Sequence, residues 1–181
     1  MSFSPIARVY AAGPSLRFSR GIALLSTLLL AACLSLWPAG DARAFGDEAK
    51  VVYHVDFASP DRVSAMITNI FNMTTHYQNE LRDYDVRVVF LAHGIRFVTD
   101  EPMEGTPFAA DAELEERREN LRSRLLGLVT NQGVKLELCD ITRQAVGLTP
   151  EQIYEAVEPV PSGVVRIVEL QDEGFRYLKV E

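Results

Sequence analysis

The feature that most limits the possible folds is a hydrophobic run, residues 51–57, followed directly by a helix start signal. The run VVYHVDF is rich in β-branched and aromatic residues and has little polar alternation, which is typical of a strand covered on both faces of a parallel sheet. Ser59 offers an N-cap oxygen, and Pro60 takes the first helical position. Apolar residues then recur with helical spacing from Val63 to Ile70, which predicts an amphipathic helix to about Leu81.

Strand and helix patterns alternate along the rest of the chain. Further strands are predicted over residues 85–92, 134–139, 157–160 and 175–180, the last as an edge strand. Further helices are predicted over residues 112–129, 140–146, 149–156 and 163–173. Strands separated by helices imply crossovers between parallel strands. The expected fold class is therefore α/β, a three-layer α/β/α sandwich with a mostly parallel sheet of about five strands.

Three segments carry more specific local predictions. Residues 149–152 read Thr-Pro-Glu-Gln, the pattern of a capping box, and predict a short helix through Ala156. In the last helix, the residues expected to face the sheet are Val164, Ile167, Val168 and Gln171. Residues 100–111 contain two prolines and Gly105, and they are predicted to form an irregular loop.

The first 44 residues have the layout of a secretory signal. Residues 1–20 carry three arginines and no acid, residues 21–37 are apolar, and Ala42-Arg43-Ala44 is a small-x-small cleavage site. We expect cleavage after Ala44, which leaves an α/β domain over residues 45–181 in the periplasm. Two alternatives stay open: the sequence Leu-Ala-Ala-Cys ending at Cys33 has the form of a lipobox, and an uncleaved signal would anchor the chain. Only those two cases predict attachment to a membrane.

Composition and motifs exclude several classes of function. The chain has 18 Lys and Arg against 25 Asp and Glu, a net charge of -7, and lacks the basic stripe that binds phosphate backbones, so nucleic acid is not an expected partner. The turn at residues 58–61 has no glycine, which excludes a dinucleotide fingerprint or P-loop after the first strand, and we predict no cofactor. Neither Cys-x-x-Cys nor Gly-x-Ser-x-Gly occurs, so thioredoxin-like pairs and the common serine hydrolases are also excluded.

Reactive side chains fall at the carboxyl ends of three predicted strands. They are His54, His93 and Cys139, and these strand ends meet at one edge of a parallel sheet. Cys139 lies where a strand turns into a helix, and N–H groups at a helix N-terminus favour the thiolate. A neighbouring imidazolium would lower the thiol pKa further. The alternative is that Cys139 packs as a small hydrophobic residue and the histidines only bind loops.

Several segments together resemble the DsrE/DsrF-like family, specifically its exported single-domain branch. The matching segments are residues 51–55, 69–72, 92–94, 133–139 and 160–164, with Asp61, Gln171, Gly174 and Tyr177. The resemblance implies an α/β/α sandwich that assembles into trimers or hexamers. It also implies a cysteine that carries sulfur as a persulfide between partner proteins, and Cys139 is the matching position.

Three hypotheses for function follow. In the first, Cys139 accepts sulfane sulfur from a donor and passes it to an acceptor protein, with His54 or His93 moving a proton; the chain would be a sulfurtransferase-like carrier at most. In the second, the protein is a non-catalytic oligomeric binding module in which Cys139 is merely packed. In the third, His54, His93 and Cys139 together bind a transition metal. The sequence identifies neither the sulfur donor nor the acceptor.

Overall fold

The computed structural model describes residues 48–180. All of these residues lie in the second of the two units into which the chain divides, 45–181. The predicted signal, its cleavage site after Ala44 and the lipobox cysteine Cys33 lie outside the described residues. Between residues 48 and 180, no helix is long and apolar enough to cross a membrane.

Five strands of the described chain form a single sheet in which every pairing is parallel. They are β1 (Ala49–Val55), β2 (Tyr84–Phe90), β3 (Lys135–Cys139), β4 (Val157–Val160) and β5 (Arg176–Lys179). The spatial order is β4-β3-β2-β1-β5, so β5 is an edge strand, as predicted.

Helices cover both faces of the sheet, which confirms the predicted three-layer sandwich. They are α1 (Pro60–Asn79), α2 (Ala112–Gln132), α3 (Asp140–Ala145) and α4 (Gly163–Asp172), with 3₁₀ helices at Ala92–Phe97 and Pro150–Gln152. Helices α1 and α2 cover the larger core on one face. On the other, which we call the α4 face, α4 packs on a smaller core formed by Val52, Val89, Ile167, Leu170 and Phe175.

Two long helices begin and end where the sequence signals place them. The Ser59 hydroxyl accepts from the Arg62 N–H at the start of α1, and Asp111 caps α2 by accepting from the Leu114 N–H at 2.9 Å. Gly133 ends α2 with a φ of 65°, in the left-handed region that glycine adopts without steric cost. Residues 100–111 form no regular element, as expected.

The predicted short helix over residues 149–156 is wrong beyond its first turn. The Gln152 side chain does accept from the Thr149 N–H at 2.9 Å, but the 3₁₀ helix ends at Gln152. Ile153 is extended and pairs with Thr99, and the Tyr154 N–H donates to the Val98 carbonyl. The chain therefore leaves the helix because its backbone is paired with the segment after the first 3₁₀ helix.

The predicted orientation of α4 is also only partly correct. Ile167 faces the sheet, but Val164 and Val168 are 62% and 52% exposed, and Gln171 is exposed as well. The buried residues of α4 are Gly163, Ile167 and Leu170. Aliphatic residues occur on several sides of the first two turns, so their spacing alone did not define a unique buried face.

Candidate functional site

Cys139 is the last residue of β3 and belongs to the α4 face of the sheet. Residues alternate along the strand, so Leu136 and Leu138 lie in the larger core while Glu137 and Cys139 point towards α4. Helix α3 begins at the next residue, Asp140, and the N–H groups of its first turn are directed back towards the sulfur. The N–H groups of Ile141 and Thr142 lower the pKa of the Cys139 thiol, although its side chain makes no capping hydrogen bond of ordinary geometry to this helix.

A second helix begins beside the same sulfur. Strand β4 pairs with β3, and Cys139 lies opposite Val160. The chain turns at Ser162, whose hydroxyl accepts from the Val165 N–H at 3.5 Å, and α4 starts at Gly163. The Gly163 N–H donates to the Cys139 sulfur. A Cβ on Gly163 would lie only 3.0 Å from the Cys139 Cβ, so glycine permits this close approach.

The Thr142 hydroxyl supplies the remaining hydrogen bond to the sulfur. Its oxygen accepts from the Ala92 N–H at 3.2 Å, at the point where the chain leaves β2. Because that bond occupies a lone pair of the hydroxyl, its own hydrogen is free to point at Cys139. Ala92 has a φ of 48°, an unusual value for a residue other than glycine, and it marks the turn that follows β2.

Burial and the polar groups around the sulfur shift the pKa of the thiol in opposite directions. Burial raises the pKa of the Cys139 thiol, since the residue is only 5% exposed. The N–H groups of Gly163, Thr142 and Ile141, with the Thr142 hydroxyl, outweigh burial and hold the pKa below its ordinary value. The geometry therefore favours a thiolate, which is the nucleophilic form of cysteine.

His54 lies on the same face of the sheet as Cys139, but its strand β1 is two strands away from β3. Its Nδ1 is 2.9 Å from the Tyr177 hydroxyl on β5, and its Nε2 is 3.9 Å from Asp56 Oδ2. Burial lowers the pKa of His54, although Asp56 acts in the opposite direction. Strand β2 lies between β1 and β3, and His54 is in register with Val89 and hence with Glu137, two residues before Cys139. Two strand spacings of about 4.8 Å and about 6.6 Å along β3 place the His54 and Cys139 backbones roughly 12 Å apart.

His93 lies in the first 3₁₀ helix, beyond the end of β2. Its ring packs edge-on against Phe108 at 5.0 Å, and its Nδ1 is buried without a hydrogen-bond partner. Within residues 48–180, neither histidine hydrogen-bonds the Cys139 thiol. The three predicted residues thus share one end of the sheet without forming one contact cluster, and the proposed acid–base roles of His54 and His93 stay predictions.

The metal hypothesis gains no support from the geometry. Across the described part of the chain, no three His, Cys, Asp or Glu side chains are grouped so that they could hold a metal ion. The residues that surround the thiol donate hydrogen bonds, and a donor set of N–H and O–H groups suits a thiolate rather than a cation.

Sequence reasoning missed the position of Thr142 and of Gly163 against the thiol. Thr142 is three residues after Cys139, a spacing that places both in the first turn of α3, and this signal could have been used. The contact between Gly163 and Cys139 depends on β4 pairing with β3. The order of strands in the sheet cannot be predicted from local sequence patterns.

Comparisons with known proteins agree with this fold. The sequence profile of the DsrE/DsrF-like family matches residues 50–180. A solved structure of MTH1491, a protein of unknown function from Methanobacterium thermoautotrophicum, is similar with a TM-score of 0.54 and 28% sequence identity, covering 73% of this chain and 99% of that one. No curated protein matches the sequence. Since the family profile covers every strand and helix of the described domain, this chain belongs to the DsrE/DsrF-like family.

Proposed function

We propose that this protein is a sulfur carrier in which Cys139 holds sulfane sulfur as a persulfide. Membership of a family associated with sulfur relay supports the proposal. The observation that carries it is the position of Cys139 at the start of α3 and against the start of α4, where a Cβ on Gly163 would lie 3.0 Å from the Cys139 Cβ and the nearby N–H groups and the Thr142 hydroxyl lower the thiol pKa. Such an arrangement stabilises negative charge on sulfur before, during and after transfer.

The chemistry requires only exchange between sulfur atoms. The Cys139 thiolate attacks the outer sulfur of a donor R–S–SH, the donor S–S bond breaks, and R–S⁻ leaves while Cys139 becomes Cys–S–SH. An acceptor thiolate then attacks that outer sulfur, and Cys139 departs as the thiolate. No net oxidation occurs in either step. Because the lowered pKa of Cys139 increases the fraction of thiolate without a neighbouring base, the proposal does not require a histidine in contact with Cys139.

A carrier also needs a thiol that does not close an internal disulfide. Cys139 is a free cysteine, and the only other cysteine in the sequence is Cys33, in the predicted signal. After cleavage at Ala44, Cys139 would have no resolving partner in its own chain, and a bound sulfane sulfur could leave only to another molecule.

The proposal includes the export and assembly that the sequence suggests. Residues 1–44 would direct the chain to the periplasm, and N-terminal sequencing of the protein recovered from cells distinguishes cleavage after Ala44 from acylation at Cys33. Exposed aliphatic side chains near the thiol, Ile141, Val164, Val165 and Val168, support assembly into a trimer or hexamer. Light scattering of the purified protein measures that state directly.

The direct test is to load the thiol with sulfur and locate the modification. The full chain is incubated with inorganic polysulfide, alkylated, digested with trypsin and analysed by mass spectrometry. The tryptic peptide 136–143 carries Cys139 and separates it from Cys33. We expect a gain of one sulfur atom on that peptide in wild type and in Cys33→Ser, its release by cyanide, and no gain in Cys139→Ser.

The binding-module alternative predicts a different result. Its supporting observation is that Cys139 is 5% exposed, which is also the exposure of a packed core residue. In that case the peptide would gain no sulfur, and iodoacetamide would label Cys139 only after denaturation. Either finding on wild type contradicts the carrier proposal.

A further inference from the structure

We propose that the buried ion pair between Glu137 and Arg166 is a positioning device for Cys139: it fixes α4 against β3 so that the Gly163 N–H stays on the sulfur. Neither residue touches the thiol in this role. The inference concerns the ionisation of Cys139, and it stands whether or not that thiol carries sulfur.

The ion pair is two-pronged and buried. Arg166 Nε lies 2.9 Å from Glu137 Oε2, and its Nη2 lies 3.3 Å from Oε1. Arg87 on β2 holds the same carboxylate with its Nη1 at 2.8 Å from Oε1. The Glu137 side chain is only 2% exposed. A carboxylate bound by two guanidinium groups in this way has little freedom to move.

The pair and the thiol contact join the same two elements. Glu137 is two residues before Cys139 on the same face of β3, and Arg166 is three residues after Gly163, one turn along α4. Two strand residues span about 6.6 Å and three helical residues about 4.5 Å, so the two contacts lie within roughly one helical turn of each other. The Arg166–Glu137 pair therefore holds α4 close to the point where Gly163 meets the sulfur.

Apolar packing alone would fix α4 less well. Aliphatic residues occur on several sides of its first two turns, and hydrophobic contact has no preferred direction. A two-pronged guanidinium–carboxylate pair fixes both the rotation and the axial position of the helix. A buried ion pair adds little net stability compared with apolar residues of the same volume, so its value at this site is geometric.

Other charges near the thiol do not explain the same effect. Asp140 and Arg143 on α3 pair with each other at 2.6 Å, Glu158 on β4 is exposed, and Arg87 is bound to Asp85 as well as to Glu137. A direct effect of charge also has a defined sign. Removing the Glu137 charge would by itself lower the thiol pKa, because the thiolate would lose a negative neighbour. Loss of positioning raises the pKa.

Two variants use this difference in sign. Glu137→Gln keeps the size of the side chain but removes its charge, and Arg166→Lys keeps the charge but removes the two-pronged geometry. Glu173→Gln is the matched control, because Glu173 also binds Arg166, through Nη1 at 3.3 Å, but is exposed and separate from the Glu137 link. All three variants are made in the full chain.

The measurement is the rate of alkylation of peptide 136–143 by iodoacetamide as a function of pH. We expect the thiol pKa to rise by about one unit in Glu137→Gln and Arg166→Lys, so that alkylation well below the pKa slows about tenfold, and to stay unchanged in Glu173→Gln. A lower pKa in Glu137→Gln, or a wild-type pKa in Arg166→Lys, overturns the inference. If Glu137→Gln does not fold, the thiol pKa of Arg166→Lys decides whether the inference holds. Sulfur loading is tested on wild type, so its result is independent of these variants.

Discussion

Replacing Gly163 by alanine tests the closest contact of the site with a single methyl group. The added Cβ would lie 3.0 Å from the Cys139 Cβ, 3.2 Å from Leu91 Cδ2 and 3.4 Å from Leu91 Cβ. Gly163 is helical and has no positive φ, so alanine is compatible with its backbone. The substitution therefore changes only the space between α4 and the end of β3.

Opposing effects set the size of the expected change. Alanine in place of glycine within a helix stabilises by about 0.5–1 kcal/mol, and a methyl group forced into a packed contact costs about 1–3 kcal/mol. Two of the three contacts belong to Leu91, and the close approach to the Cys139 Cβ requires α4 to shift by a few tenths of an ångström. We expect a net loss of about 1 kcal/mol in the free energy of unfolding.

The same shift should weaken the Gly163 hydrogen bond to sulfur. A hydrogen bond to a charged group contributes about 1.5–3 kcal/mol, and one pKa unit corresponds to about 1.4 kcal/mol, so a partial loss raises the thiol pKa by roughly half a unit to one unit. Both quantities are measurable on one preparation, by urea denaturation and by the pH dependence of alkylation.

Gly127→Ala is the matched control for this experiment. Gly127 lies within α2, and an added Cβ there would meet nothing closer than Asn131 Nδ2 at 3.9 Å. We expect that variant to be more stable than wild type by about 0.5–1 kcal/mol, with an unchanged thiol pKa. If Gly163→Ala matches Gly127→Ala in both stability and thiol reactivity, the contact between α4 and Cys139 is not as close as described and the reasoning fails.

Three further predictions concern the Thr142 hydroxyl, the pH dependence of stability and the start of α2. Thr142→Val should raise the thiol pKa, and it leaves the Ala92 N–H without a partner, which should lower the free energy of unfolding by about 1–3 kcal/mol. Thr142→Ser should retain both hydrogen bonds. The pH dependence of alkylation measures the first effect, and urea denaturation measures the second. Folding lowers the pKa of Cys139, so the folded state is stabilised by ionisation of this thiol. That contribution is fully present above the thiol pKa of the unfolded chain and is lost as the pH falls through the thiol pKa of the folded protein. The free energy of unfolding of wild type, relative to Cys139→Ser, should therefore increase as the pH is raised across that interval. Asp111→Ala removes both the cap of α2 and the partner of Arg96, which is 4% exposed. We expect the free energy of unfolding, measured by urea denaturation, to fall by about 2–3 kcal/mol. The fall should be smaller in Asp111→Asn, which keeps a capping oxygen.

The fold could be predicted because its local signals agree with one another. The buried run over β1, the Ser59 cap, and the glycine after α2 each specify one element or boundary, and the tertiary structure uses all three. The segment after Gln152 failed because its conformation is set by backbone pairing with Thr99, which is 54 residues away along the chain. The residue pattern of a short segment contains no information about a backbone-pairing partner that lies so far away in the sequence.

The position of Cys139 at the end of a strand could be predicted from the sequence, but most of its surroundings could not. A cysteine between a strand and a helix is visible in sequence, and the Ile141 and Thr142 donors follow from the start of that helix. The contribution of Gly163 requires β4 to lie beside β3. His54 is not in contact with Cys139, because β2 separates their strands, and the acid–base role expected of His54 stays a prediction.

In the proposed carrier, the polar groups around the Cys139 sulfur affect the release of sulfur as much as its acceptance. A thiol with a lowered pKa is present as thiolate at a lower pH, but each thiolate is a weaker nucleophile. The same lowered pKa makes it a better leaving group, so an acceptor that attacks the outer sulfur of a Cys139 persulfide displaces it more readily. Hydrogen-bond donors that stay near the Cys139 sulfur through both steps therefore favour transfer of the sulfur atom over its storage on Cys139. Variants that raise the thiol pKa, such as Thr142→Val, should slow release to an acceptor thiol more than they slow acceptance from polysulfide at a pH above the thiol pKa.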